Sequence, residues 1–164
     1  MKIPFRIPRT VWLLFFIPVF FIYYPIGMVI VHQINDGTTL DISAYDKQGG
    51  SKAVANTIAL IDREVNISYF TPNDPFFYPG AALVRMPAFQ RGIMASVARF
   101  SIELSDELGR SRGSSETDAD LKKAAGLLNY SPHVWMWDFS VSWLPTASSE
   151  KQFDEGMKAL QRYN

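Results

Sequence analysis

Residues 11–31 read VWLLFFIPVFFIYYPIGMVIV, 21 positions without a single Asp, Glu, Lys or Arg. At ~1.5 Å of rise per residue a helix over this stretch is about 31 Å long, close to the ~30 Å hydrocarbon core of a bilayer. A soluble core helix of that length would carry a polar face, and none is present. The stretch is longer and bulkier than the apolar region of a secretory signal, so it reads as an uncleaved anchor. An interfacial amphipathic helix needs a charged face, which this stretch lacks. The sequence therefore predicts a transmembrane helix over 11–32. Lys2, Arg6 and Arg9 precede it, and Asp36, Asp41 and Asp46 follow it, which places residues 1–10 in the cytoplasm and the rest beyond the membrane. Pro18 and Pro25 each remove a helix hydrogen bond, and such prolines are tolerated where neighbours satisfy the freed carbonyls. With Tyr23 and Tyr24 they mark a face for helix contact within the membrane; the plainer reading is that the tyrosines pack in lipid.

Beyond the anchor the chain is long enough for one small domain. Three of the 16 basic residues lie before the apolar run, leaving 13 against 16 acidic residues from Gln33 onward. That acidic balance offers no electrostatic footprint for nucleic acid. The absence of cysteine excludes a disulfide framework, a thiolate zinc site and a cysteine nucleophile.

Residues 33–50 are polar, with Gly37, Gly49 and Gly50, and read as a linker to a domain over 51–164. Ser51 is a cap, and Val54, Ile58, Ile61 and Val65 recur at helical spacing, predicting a helix over 51–66 with a charged patch of Asp62, Arg63 and Glu64 near its end. Residues 67–87 carry four prolines, and five aromatics fall within 69–78, so a helix there is not expected. Pro87 suits a first helical position. Phe89, Ile93, Val97, Phe100, Leu104 and Leu108 then form a long apolar stripe, with Gly109 as a stop. Thr117 or Asp118 caps a shorter helix with the stripe Leu121, Ala124, Ala125 and Leu128. Trp135, Trp137, Phe139, Val141 and Trp143 alternate at a period of two, predicting a short extended aromatic strand that needs a partner, with 40–45 as one candidate. Ser148 or Ser149 caps a last helix bearing Phe153, Met157, Leu160 and Tyr163. The expected fold is mainly α: one transmembrane helix, then a small domain of about four helices.

No catalytic constellation emerges. His32 and His133 lack metal-ligand spacing, no G-x-S-x-G elbow occurs, and nothing brings Asp62, Glu64 or Glu103 across one cleft, so these read as surface charge. No metal or cofactor is expected. Residues 110–115 combine Arg110, Arg112, Ser114 and Ser115 around Gly113, ahead of a helix N-terminus, which are ingredients of an anion site. The competing reading pairs those arginines with Glu103, Asp106, Glu116 or Asp118 and gives the serines to a turn. The aromatic segments 69–78 and 135–143 form either a binding surface or core filling.

Gly49-Gly50-Ser51, Leu60-Ile61-Asp62-Arg63-Glu64-Val65, Asn73-Asp74-Pro75-Phe76-Phe77, Arg99-Phe100-Ser101-Ile102-Glu103-Leu104, Leu108-Gly109-Arg110-Ser111-Arg112-Gly113-Ser114-Ser115 and Pro145-Thr146-Ala147-Ser148-Ser149-Glu150, with Tyr24-Pro25-Ile26-Gly27-Met28, resemble a proteobacterial family of uncharacterised single-pass inner-membrane proteins. The resemblance covers nearly the whole chain. It implies a periplasmic domain, brings no assigned activity or catalytic residue, and implies a shortened form here, because members continue past the position of Asn164. The resulting expectation is a non-catalytic accessory or scaffold subunit, in contact with the lipid bilayer and docking onto another membrane protein. The alternative is a periplasmic enzyme or binder of anionic envelope ligands.

Overall fold

The computed structural model describes residues 9–111, 118–137 and 143–164. Five α-helices follow in order: α1 (Arg9–Val31), α2 (Lys52–Asp62), α3 (Arg85–Ser111), α4 (Ala119–Leu128) and α5 (Ser149–Tyr163). A π-helical turn (Arg63–Ile67) and a 3-10 turn (Pro79–Ala82) lie between α2 and α3.

Helix α1 occupies nearly the residues expected for the anchor, but the transmembrane assignment is corrected. Among the described residues, no helix is long and apolar enough to cross a membrane. The end of α1 is also engaged by protein. Tyr24, Gly27, Met28 and Val31, at helical spacing, are less exposed than the residues around them. Gly27 packs on Pro79 so closely that a Cβ would collide with the proline ring. The Tyr24 hydroxyl donates to the Phe76 carbonyl. Ahead of Tyr24 the apolar run rises only about 20 Å. Its described side chains there are exposed, among them Leu14, Phe16, Ile17 and Phe21.

Residues 33–50 contain no helix or strand, as the sequence implies, but they are tied to the domain. Arg63 Nη1 donates to the Gly37 carbonyl at 2.8 Å. Asn164 holds the segment's far end: its Oδ1 accepts from Ser51 N at 2.7 Å and its Nδ2 donates to Tyr45 O at 3.1 Å.

Helix α2 begins at the expected cap, with Ser51 Oγ accepting from Val54 N at 3.5 Å. Val54, Ile58 and Ile61 are buried as their spacing predicts. Past Asp62 the helix widens by one π turn, which shifts the register and turns Arg63 and Glu64 inward. The predicted surface patch is thus corrected for these two residues: Arg63 is 8% and Glu64 1% exposed.

Helix α3 starts two residues before Pro87 and runs through Gly109 to Ser111, so the expected stop is overridden. Pro87 remains in the first turn, where its missing N–H breaks no intrahelical bond. The helix is also rotated from the expected stripe. Met86, Gln90, Met94, Val97 and Ser101 form its buried line, whereas Ile93, Phe100, Leu104 and Leu108 pack on the shoulders of the core. Helix α4 is capped by Asp118, whose Oδ1 accepts from Asp120 N and Leu121 N at 2.9 and 3.1 Å, and its whole predicted stripe is buried. Helix α5 is capped by Ser148 and contributes Phe153, Met157, Ala159 and Leu160 to a core shared with α2, α3 and α4. At Gly156 the α4–α5 contact is so tight that a Cβ would lie 2.8 Å from Leu128 Cγ.

The extended aromatic strand is corrected as well: among the described residues there is no strand. Residues 138–142 of the expected strand lie outside the described residues. Around Met136 the chain is bonded instead to the stretch leading into α5, through Thr146 N to Met136 O at 2.8 Å and Ser149 N to Val134 O at 3.0 Å. The candidate partner around 40–45 instead forms a turn, with Tyr45 N donating to Ile42 O at 2.8 Å.

Candidate functional site: a buried polar cluster beneath an aromatic edge

The π turn, the segment 69–80, α3 and the first turn of α5 converge on a polar cluster inside an otherwise apolar bundle. Gln90, fully buried on α3, is its centre. Its Oε1 accepts from both Thr71 N and Thr71 Oγ1 at 2.9 Å. Its Nε2 donates to Tyr69 O at 3.0 Å and to Glu64 O at 3.3 Å. A single amide thereby fastens the proline-rich segment to the bundle, satisfying backbone groups that have no helix or sheet to serve them. Behind it, Arg63 Nε pairs with Glu64 Oε1 at 2.8 Å.

A second layer lies closer to the surface. Asn73, 5% exposed, donates through Nδ2 to Glu150 Oε2 at 2.7 Å and to Val134 O at 3.0 Å. The Tyr69 hydroxyl donates to Asp74 Oδ1 at 3.1 Å. Asp74 Oδ2 is pressed against Gly80, where no Cβ would fit. Burial, reinforced by the Glu150 charge and opposed by the Tyr69 hydrogen bond, pushes the Asp74 carboxyl up to about 6. Burial and the Asp74 charge hold the Tyr69 hydroxyl well above the ordinary tyrosine range. Among the described residues, three buried side-chain oxygens lack a hydrogen-bond donor: Glu64 Oε2, Asn73 Oδ1 and Asp74 Oδ2. The cluster is rich in acceptors and short of donors.

Over this cluster lies an aromatic edge. The two aromatic segments, far apart in sequence, meet where the rings of Phe77 and Trp135 stand edge to face at 5.6 Å. Phe77 also packs on Phe76 at 5.3 Å and on Tyr78 at 5.1 Å. Of these segments Phe70 is a core residue, against Phe153 at 5.6 Å. Phe76 is 85% exposed and Trp143 82%, with Phe77, Tyr69, Met136, Trp137 and Leu144 also open to solvent.

The residues singled out in the sequence are scattered. Pro18, Tyr23, Tyr24 and Pro25 lie in α1, and Tyr24 uses its hydroxyl on the chain's own Phe76. Arg110 lies in the last turn of α3 and pairs with Glu107 at 3.2 Å, a carboxylate other than those the sequence suggests for it. Arg112, Ser114 and Ser115 lie outside the described residues. His32 Nδ1 sits 2.7 Å from Val29 O at the end of α1, and His133 Nδ1 lies 3.3 Å from Pro72 O. Among the described residues, no three acidic or histidine side chains come together to hold a metal ion.

Gln90, Asn73, Asp74 and Glu150 were not legible as a site. Asn73-Asp74-Pro75 carries an ordinary turn signature, and Glu150 reads as a first-turn acid of α5. The one available signal was Gln90, a polar residue one turn from Met86 and Met94.

The architecture defines a small helical domain with an apolar helix seated on an aromatic edge. The chain belongs to a bacterial family described as "Uncharacterized protein conserved in bacteria" (DUF2333), which matches residues 42–164. No curated protein and no solved structure matches it.

Proposed function

We propose that this protein is a non-catalytic accessory or scaffold subunit of the bacterial cell envelope, docking onto a membrane protein complex through the aromatic edge formed by Phe76, Phe77 and Trp135. The observation that carries this reading is the joint between α1 and that edge. Tyr24 bonds to the Phe76 carbonyl and Gly27 abuts Pro79, so the exposed apolar surface of the helix adjoins the exposed aromatics of the domain. Adjoining apolar surfaces of this kind mark interaction sites. Aromatic residues that keep one face open are the usual anchors of such contacts. The open apolar side chains of α1 support association with the membrane.

Isolation of the full chain from native membranes in mild detergent tests the reading. A defined partner should co-purify and should be lost from the double variant Phe76→Ala/Phe77→Ala, whose thermal stability stays within about 1 kcal/mol of wild type because Phe76 and Phe77 lie outside the core. A lone monomer, or retention of the partner by that variant, refutes it.

A further inference from the structure

The segment 71–80 has two attachments that pull on one hinge. Inward, Thr71 is fastened to Gln90 and Asn73 to Glu150. Outward, Phe76 and Pro79 form the seat of α1. Between them the segment is folded back by three turn bonds: Asp74 N to Thr71 O at 3.2 Å, Tyr78 N to Pro75 O at 2.8 Å and Ala81 N to Tyr78 O at 3.1 Å. Asp74 lies inside that fold. An ionised carboxylate accepts about four hydrogen bonds. Here one oxygen accepts from Tyr69, and the other meets Gly80 without a donor. The neutral acid suits the place better, because a carboxylate oxygen buried against Gly80 without a donor disfavours the charged form, and a proton removes that charge.

We propose that residues 71–80 form a proton-sensitive latch: with Asp74 neutral the segment is closed and α1 is seated on it, and ionisation of Asp74 loosens the segment and its hold on the helix. The titratable groups that face the latch are Tyr24 from α1, Tyr69 from the preceding segment, Tyr78 within it, Glu150 from α5 and His133 from the segment after α4. The raised Asp74 ionisation range agrees with this arrangement. Control over how Phe76 and Phe77 are presented to a partner rests on the docking reading above. The proton linkage of the segment itself is a property of the isolated chain.

Hydrogen exchange on the full chain in mild detergent, between pH 5 and 7.5 and corrected for the intrinsic rate, tests it. Protection at Asp74, Tyr78 and Ala81 should fall about tenfold across that range, and Asp74→Asn should keep the low-pH protection throughout. His133→Gln should keep the wild-type profile. Seating of α1 is read in parallel. The chain has no cysteine, so Met28→Cys on the seated face and Ile30→Cys on the open face give single maleimide sites. Their rate ratio, in which thiolate chemistry largely cancels, should approach one as pH rises. A flat wild-type exchange profile, a pH dependence that survives in Asp74→Asn, or one abolished by His133→Gln overturns the latch. A segment that behaves as stated in a protein that captures no partner leaves the latch standing and removes the docking reading.

Discussion

Replacing Arg63 by Met is the most demanding test of the buried layer. The Arg63 side chain is 9% exposed and that of Glu64 1%, and the two share a 2.8 Å charge-assisted bond. Glu64 Oε2 has no donor among the described residues, so Arg63 supplies the pairing on which the buried carboxylate depends. Removing one partner of such a pair leaves an uncompensated buried charge and typically costs about 3–5 kcal/mol. The lost bond to the Gly37 carbonyl falls within that range, because a carbonyl in the segment 33–50 can turn to water. Removing both charges behaves differently: Arg63→Met/Glu64→Leu deletes the desolvation penalty together with the attraction, and such exchanges are often neutral or stabilising. Urea unfolding of the full chain in mild detergent, followed by circular dichroism, reads both. With a slope of ~1–3 kcal/mol/M, the single variant should lose about 2 M in midpoint and the double variant should recover most of it. A single variant that costs under ~1 kcal/mol, or a double variant as unstable as the single, refutes the claim that this pair is buried and mutually dependent.

Asp74 makes stability depend on pH in a direction opposite to most carboxylates. Its folded value of about 6 stands above the ordinary 3.8, so its contribution is fully present below pH 4 and is lost as pH rises through 6. A full conversion gives about 3 kcal/mol, but Asp74 is only partly buried, and solvent screening reduces this to about 1 kcal/mol. Asp74→Asn should therefore melt about 4 °C higher than wild type at pH 7.5 and within a degree of it at pH 4; equal increments at both pH values would remove Asp74 as the cause. Gly156→Leu should destabilise by about 1–3 kcal/mol, since even a Cβ there lies 2.8 Å from Leu128 Cγ, and a neutral result by thermal melting would show that α4 and α5 do not approach as described.

The helical bundle was legible wherever local chemistry and burial agree. Asp118 and Ser148 cap the helices they precede, the stripe of α4 is buried whole, and those of α2 and α5 are buried except for Val65 and Tyr163, which are partly buried against the core. Legibility failed where a tertiary partner overrules the local signal. Periodicity puts Val65 in line with Ile61, but the π turn moves Glu64 inward, and only Arg63 and Gln90 make that tolerable. On α3 the apolar count favours Phe89 and Phe100, yet the buried line runs through Gln90 and Ser101, whose polar groups are satisfied there: Gln90 holds Thr71, and Ser101 Oγ donates to Val97 O at 2.9 Å. Alternation in 135–143 reads as a strand because it reports aromatic content, whereas a strand also needs a backbone partner. In the described part of that segment the Trp135 and Met136 carbonyls accept from Thr146, in the stretch leading into α5.

The apolar run 11–31 shows the same limit from the other side. Its composition states that water is a poor solvent for it but leaves the covering undetermined. The structure supplies one part of that covering from the chain itself, through Tyr24, Gly27 and Pro79. Those contacts fall on residues 76–79, the outer part of the segment that Gln90 and Glu150 hold from below. A segment with four prolines nearby and only one short 3-10 turn of its own would ordinarily be loosely held. Here the buried amides of Gln90 and Asn73 take the place of secondary structure. The helix seat therefore leans on side-chain hydrogen bonds as well as a few turn bonds, and a single proton on Asp74 can strengthen or weaken such a set where a regular backbone ladder would not register it.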